Sequence, residues 1–147
     1  MAFPYRRIFA ALDGSSTQEE VARRAVALAA HNGAELVFGH VVDSVSSDVS
    51  GADFNALCAE VAERLERDLA DILAEARNNP AIPSCKLEVR AGRVADALVD
   101  QLIEPCAPDM VVCGERGLSN IKYAFVGSVS KHLIRTVRCD VLVVKQD

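Results

Sequence analysis

The residues best suited to chemistry form one interrupted series near the carboxyl end: Gly114-Glu115-Arg116-Gly117, nine residues, then Gly127-Ser128-Val129-Ser130. Two glycines three apart let a backbone leave a strand sharply and approach a ligand without Cβ obstruction. Gly127-Ser128 opens a helical stretch, where unpaired N–H groups and the helix dipole attract an anion. Hydroxyls at Ser128 and Ser130 add donors on the same turn. One exposed helix terminus is worth only about 0.3–1 kcal/mol, so a phosphate needs several such groups to converge. Local charge agrees: Gly114 to Asp147 carries six basic and three acidic residues. Arg135 and Arg138 complement a helix C-terminus, whereas Arg116 and Lys122, inside the Gly-flanked loop, are candidates for phosphate proximity.

The elements that position this series follow from apolar periodicity. Ile8 to Leu12 is a short buried-strand run ending at Asp13-Gly14. Ser16-x-x-Glu19 and Thr17-x-x-Glu20 are overlapping capping boxes. They precede a helical stripe (Val21, Ala22, Ala25, Leu28, Ala29) that stops at Asn32-Gly33. Leu36 to Val42 is the second strand, and residues 44–52 are a small, polar, mobile loop. One long helix is expected from Asp53 to Arg77. Its outer face pairs Glu60 with Arg64 and Glu63 with Arg67, charges that suit a solvated surface better than a binding site. Strand three is Cys85 to Ala91. A helix from Gly92 carries apolar pairs at Val94-Ala95, Leu98-Val99 and Leu102-Ile103, and Pro105 and Pro108 end it. Met110 to Cys113 is the fourth strand, Ser128 to Val137 the last helix, and Val141 to Val144 the last strand.

This β-α alternation predicts a single α/β domain over residues 1–147, a doubly wound, five-stranded parallel sheet of order 3-2-1-4-5. The order reverses between strands 1 and 4, and the crevice at their carboxyl ends is where a ligand is expected. Asp13, after strand 1, and the Gly114 loop, after strand 4, meet there. The alternative role for Asp13 is a turn or capping residue, and for Val41 ordinary core, which is compatible with backbone binding. His40 reads as a satisfied strand-end histidine.

Composition bounds the rest. The 147 residues are 50% hydrophobic, with net charge −5 and a pI near 5.2, against a general nucleic-acid binder. Seven acids against two arginines between Asp53 and Glu75 account for that charge. No apolar run is long enough to span a bilayer. The start lacks a signal-peptide pattern, which points to the cytoplasm. The five cysteines show no CxxC spacing and read as buried thiols. A P-loop, a GxGxxG after strand 1 and a receiver's phosphoacceptor Asp after strand 3 are all missing. His31, His40 and His132 lie in different elements and assemble no triad or metal cluster.

Gly-x2-Gly-x9-Gly-Ser at Gly114, Gly117, Gly127 and Ser128 resembles the signature of the nucleotide-binding branch of the universal stress proteins. The resemblance extends to Ala11-Leu12-Asp13-Gly14-Ser15, His40-Val41-Val42-Asp43 and Cys139 to Val144, nearly the whole chain. It implies a Rossmann-like fold of the adenine nucleotide alpha-hydrolase type and an ATP (or AMP/ADP) site, with Mg as a further option. In that site Asp13 would bond near the ribose or adenine, and the Val41 backbone would face the adenine edge. Gly114, Gly117 and Gly127 would line ribose and phosphates, with Arg116 nearby and Ser128, Val129 and Ser130 around the phosphates. The expected function is a nucleotide-binding stress-response module with slow or absent hydrolysis. Two alternatives stand beside it: a weak Mg-dependent ATPase using Asp13, and a partner-binding dimer that does not use nucleotide. The apolar strand Val141 to Val144 at a sheet edge calls for cover, and both symmetry and the resemblance point to a homodimer through it.

Overall fold

A computed structural model describes residues 4–44, 53–115 and 128–145. Five parallel strands, β1 (Arg7–Ala11), β2 (Glu35–Asp43), β3 (Cys85–Gly92), β4 (Met110–Gly114) and β5 (Asp140–Val144), lie in the order β3-β2-β1-β4-β5. The expected sheet order and strand positions hold to within a residue or two. Among the described residues no helix is long and apolar enough to cross a membrane.

Strand alternation divides the core into two layers. From β1 and β2, Ile8, Ala10, Leu36 and Phe38 pack under α1 (Gln18–Asn32) and α3 (Ala70–Asn78). Phe9, Ala11, Val37 and Val41 face the opposite side, against the helical run Val94–Cys106 and Leu133 of α6 (Ser128–Thr136). Phe9 and Phe38 are fully buried, and burying such a side chain contributes about 1.5–3 kcal/mol. Gly39 makes room for that packing. A Cβ there would stand 2.7 Å from Phe9 Cε2 and 3.2 Å from Leu102 Cδ1.

Helix α1 ends as expected at Gly33, whose φ of 67° is left-handed and whose N–H donates to Ala29. Its start differs. Thr17 makes no side-chain cap, because the hydroxyls of Ser15 and Thr17 bond each other at 2.8 Å. Glu19 and Glu20 instead pair with Arg23 and Arg24 one turn on. The long second helix is also corrected. It kinks at Leu69 (φ −111°, ψ 23°), dividing α2 (Phe54–Asp68) from α3. Arg77 bridges the kink by pairing with Glu66 at 2.7 Å.

The run Val94–Cys106 consists of α4 (Val94–Ala97), a π-helical segment Leu98–Ile103 and α5 (Glu104–Cys106). Its apolar pairs recur every four residues, and in an α-helix each repeat would drift by about 40° around the axis. Leu98, Val99, Leu102 and Ile103, in the wider i→i+5 turns, share one buried face. Pro105 does not end this run. It sits in the first turn of α5, where its missing N–H is tolerated. The stop comes at Ala107, left-handed at φ 51°.

At the amino ends of the strands the sheet is stitched shut. The Arg6 and Arg7 N–H groups donate to Asp109 at 2.7 and 3.0 Å, and Tyr5 Oη donates to Asp140 at 2.6 Å. The carboxyl ends stay open.

Candidate functional site

The opening at the carboxyl ends is a crevice of about 590 Å3, within the range of small-molecule sites. It lies where the strand order reverses, between β1 and β4, as a doubly wound sheet requires. Of the expected site residues, Asp13, Val41, Gly114, Val129 and Ser130 line it together. Ser128 stands exposed as the first residue of α6. Arg116, Gly117 and Gly127 lie outside the described residues, as do Lys122 and most of the loop after Asp43.

Asp13 is held by its own turn. Its Oδ1 accepts from the Ser15 N–H at 2.9 Å and the Ser15 hydroxyl at 2.6 Å. This is the turn role weighed for it. Oδ2 has no partner among the described residues. Gly14 is left-handed at φ 78°, and its N–H donates to Gln18 Oε1 at 3.0 Å, so the turn is tied to the first turn of α1.

On β2 the Gly39 carbonyl accepts from the Leu12 N–H at 2.8 Å. Backbone groups two residues apart on a strand point the same way. The N–H and C=O of Val41 are therefore turned toward the crevice, beyond the last residue of β1. His40 Nδ1 lies 2.8 Å from the Leu12 carbonyl. A carbonyl only accepts, so that nitrogen carries the hydrogen, and His40 is satisfied as the sequence suggested.

Ser130 has a different part from the one expected. It is buried, 4% exposed, and its hydroxyl donates to the Gly114 carbonyl at 2.5 Å. Cys113 Sγ approaches the same hydroxyl at 3.7 Å, and burial pushes the Cys113 thiol above its ordinary value. The Ser130 proton is thus committed to fastening α6 to the end of β4. The anion-binding donors left at this terminus are backbone N–H groups and the Ser128 hydroxyl.

Helix α2 supplies what the sequence reading missed. Leu57, Val61, Arg64 and Asp68 line the crevice. Neither Glu60–Arg64 nor Glu63–Arg67 occurs among the ion pairs of the described residues. The signal was in the spacing: steps of four, three and four from Leu57 place Arg64 and Asp68 on the same helix face as Leu57 and Val61. Asp43, at the end of β2, and Gln18 were likewise not singled out, and both reach the crevice. Among the described residues no group of three or more His, Cys, Asp or Glu side chains is arranged to hold a metal ion.

A doubly wound parallel sheet with an open crevice at its switch point defines the chain as a Rossmann-like α/β protein. The sequence profile of the universal stress protein family matches residues 4–145, and the chain belongs to that family. A protein of Staphylococcus aureus (strain USA300) named for the same family is 29% identical over 143 residues, covering 97% of this chain and 86% of its own. The universal stress protein UspA from Lactobacillus plantarum superposes with a TM-score of 0.77 at 22% identity, over 97% and 99% of the two chains. A universal stress protein solved in complex with cAMP superposes at 0.66 with 25% identity, over 99% and 100%.

Proposed function

We propose that this universal stress protein binds an adenine nucleotide, ATP or its AMP/ADP relatives, in the crevice, as the nucleotide-binding branch does. It then acts as a stress-response signalling module in which hydrolysis is slow or absent. The observation that carries the reading is the meeting, in one crevice, of Asp13, the Val41 backbone and the start of α6. Asp13 Oδ2 accepts from ribose or base. The Val41 N–H and C=O face one edge of the adenine. The amino end of α6, with Ser128 and Val129, takes the phosphates, while Gly114, Gly117 and Gly127 let the backbone approach and Arg116 adds charge. Ser130 holds this end in place through Gly114. The cAMP complex of a relative at 25% identity supports the ligand class. A Mg ion would enter on the phosphates, with Asp13 a carboxylate in the same crevice to assist.

Equilibrium binding of ATP to the purified protein tests this. Gly117→Val and Gly127→Val are expected to abolish binding; survival of affinity in both would show the site assignment wrong. A wild-type protein that takes up no adenine nucleotide at millimolar concentration would leave the partner-binding dimer. Phosphate release that disappears in Asp13→Ala would turn the reading to a weak Mg-dependent ATPase.

We also infer a homodimer through β5, an edge strand whose residues Val141 to Val143 remain partly exposed. A monomer by light scattering at micromolar concentration would contradict it. The five cysteines, all free thiols, fit a reducing, cytoplasmic setting.

A further inference from the structure

We propose that Arg64 and Asp68 of α2 read the base of the bound nucleotide and select adenine over guanine or hypoxanthine. The inference rests on the nucleotide reading above and names the chemistry of its far end. Arg64 is the only arginine or lysine lining the crevice among the described residues. It is exposed and makes no ion pair or hydrogen bond there, and the same holds for Asp68. The two stand four residues apart on one helix face, a spacing at which such side chains usually pair. Here a fork of donors and a carboxylate acceptor are both left open to the same cavity.

Topology fixes which end of a ligand they meet. The crevice runs from α2, which packs on β3, across β2 and β1 to the start of α6 beyond β4. Three strand spacings separate its ends, about 14 Å. The anion donors are at the α6 end, so α2 faces the end remote from the phosphates. Leu57 and Val61 line that end with apolar surface, which suits a flat heterocycle. With the Val41 backbone on one edge of adenine, the other edge offers N7, an acceptor, and the second hydrogen of the exocyclic amine, a donor. Arg64 supplies the donor to N7 and Asp68 the acceptor for the amine. Guanine and hypoxanthine present O6 in place of that amine and set an oxygen against the Asp68 carboxylate.

Calorimetric titration of wild type, Arg64→Met and Asp68→Asn with ATP, 7-deaza-ATP, ITP and adenosine tests the assignment. Both side chains are exposed, so unchanged thermal melts serve as the folding control. Wild type should bind 7-deaza-ATP on the order of tenfold more weakly than ATP, the worth of one charge-assisted hydrogen bond. Arg64→Met should bind the two alike and lose the same factor toward adenosine as toward ATP. Asp68→Asn, whose amide can donate to O6, should narrow the ATP-to-ITP ratio about tenfold. An Arg64→Met protein that still discriminates against 7-deaza-ATP overturns the proposal. So does a loss that grows with the number of phosphates, which would make Arg64 a phosphate ligand. Wild type that binds ATP, with both variants indistinguishable from it, overturns the α2 assignment and leaves the nucleotide site standing. Wild type that binds none of these ligands overturns both.

Discussion

Replacing Ser130 with alanine removes one oxygen from a position 4% exposed and leaves the Gly114 carbonyl without the hydroxyl that donates to it. The carbonyl is half-buried at the wall of the crevice, where water can reach it, so the cost is that of the lost hydrogen bond, about 0.5–1.5 kcal/mol. The loss of Sγ contact from Cys113 at 3.7 Å adds little. For a domain of this length the sum corresponds to a fall in Tm of roughly 1–6 °C. Ser128→Ala is the matched control: it lies two residues away on the same helix, is exposed, and should stay within about 0.5 kcal/mol of wild type. Urea unfolding followed by circular dichroism would measure both, with a common m-value showing that only stability has changed. A Ser130→Ala midpoint equal to wild type would refute the claim that this hydroxyl holds α6 to β4. Equal losses in the two variants would show that the effect belongs to the helix start rather than to the Gly114 bond.

Gly39→Ala should destabilise by about 1–3 kcal/mol or more, because its Cβ would overlap the Phe9 ring, falling 2.7 Å from Cε2 and closer still to Cζ; an unchanged melting temperature would contradict that packing. The Arg77 guanidinium holds the Glu66 carboxyl below its ordinary value of 4.5. A depressed folded pKa adds stability above the unfolded value and loses it as pH falls through the folded one. Glu66→Gln should therefore cost under about 1 kcal/mol at pH 7, the pair being more than one-third exposed. That difference should shrink from about pH 4.5 downward, which pH-resolved melts of the two proteins would follow. Burial pushes the Cys106 thiol up to about 11, leaving roughly one thiolate in a thousand at pH 8. Iodoacetamide should label it far more slowly than glutathione, and labelling at an equal rate, read by mass spectrometry, would exclude the buried environment.

The strands were legible because a buried parallel strand is a short apolar run between turn residues, and Ile8 to Leu12 or Met110 to Cys113 fit nothing else. The site was legible where it depends on backbone: Asp13, Val41 and Gly114 do share one crevice. What escaped depends on competition between partners. Ser16 and Thr17 have capping-box spacing, but Asp13 and Ser15 form a tighter network with Thr17. Ser130 was read as a ligand donor because helix starts bind anions, yet only three-dimensional structure shows the Gly114 carbonyl reaching it first. Glu60 and Arg64 satisfy the spacing for an ion pair, and that spacing competes with the one that sets Arg64 in line with Leu57 and Val61 on the crevice. The four-residue apolar repeat in Val94 to Ile103 marked a helix but not its π-helical segment, since α1 keeps the same repeat (Val21-Ala22, Ala25-Val26) buried on a regular α-helix.

The central place of β1 has a consequence for how the molecule comes together and apart. It pairs with β2 across fewer than thirty residues of chain but with β4 across about a hundred, Ile8 lying opposite Leu36 on one side and Met110 on the other. The second pairing closes much the larger loop, so it carries the greater entropic penalty and belongs late in folding. The crevice straddles that seam. A molecule seated in it touches both the early and the late parts of the chain, and it is bound in full only after β4 has docked. Occupancy would then favour closure of the seam and raise the stability of the whole domain by mass action, with slowed amide exchange in β1 and β4 as its trace.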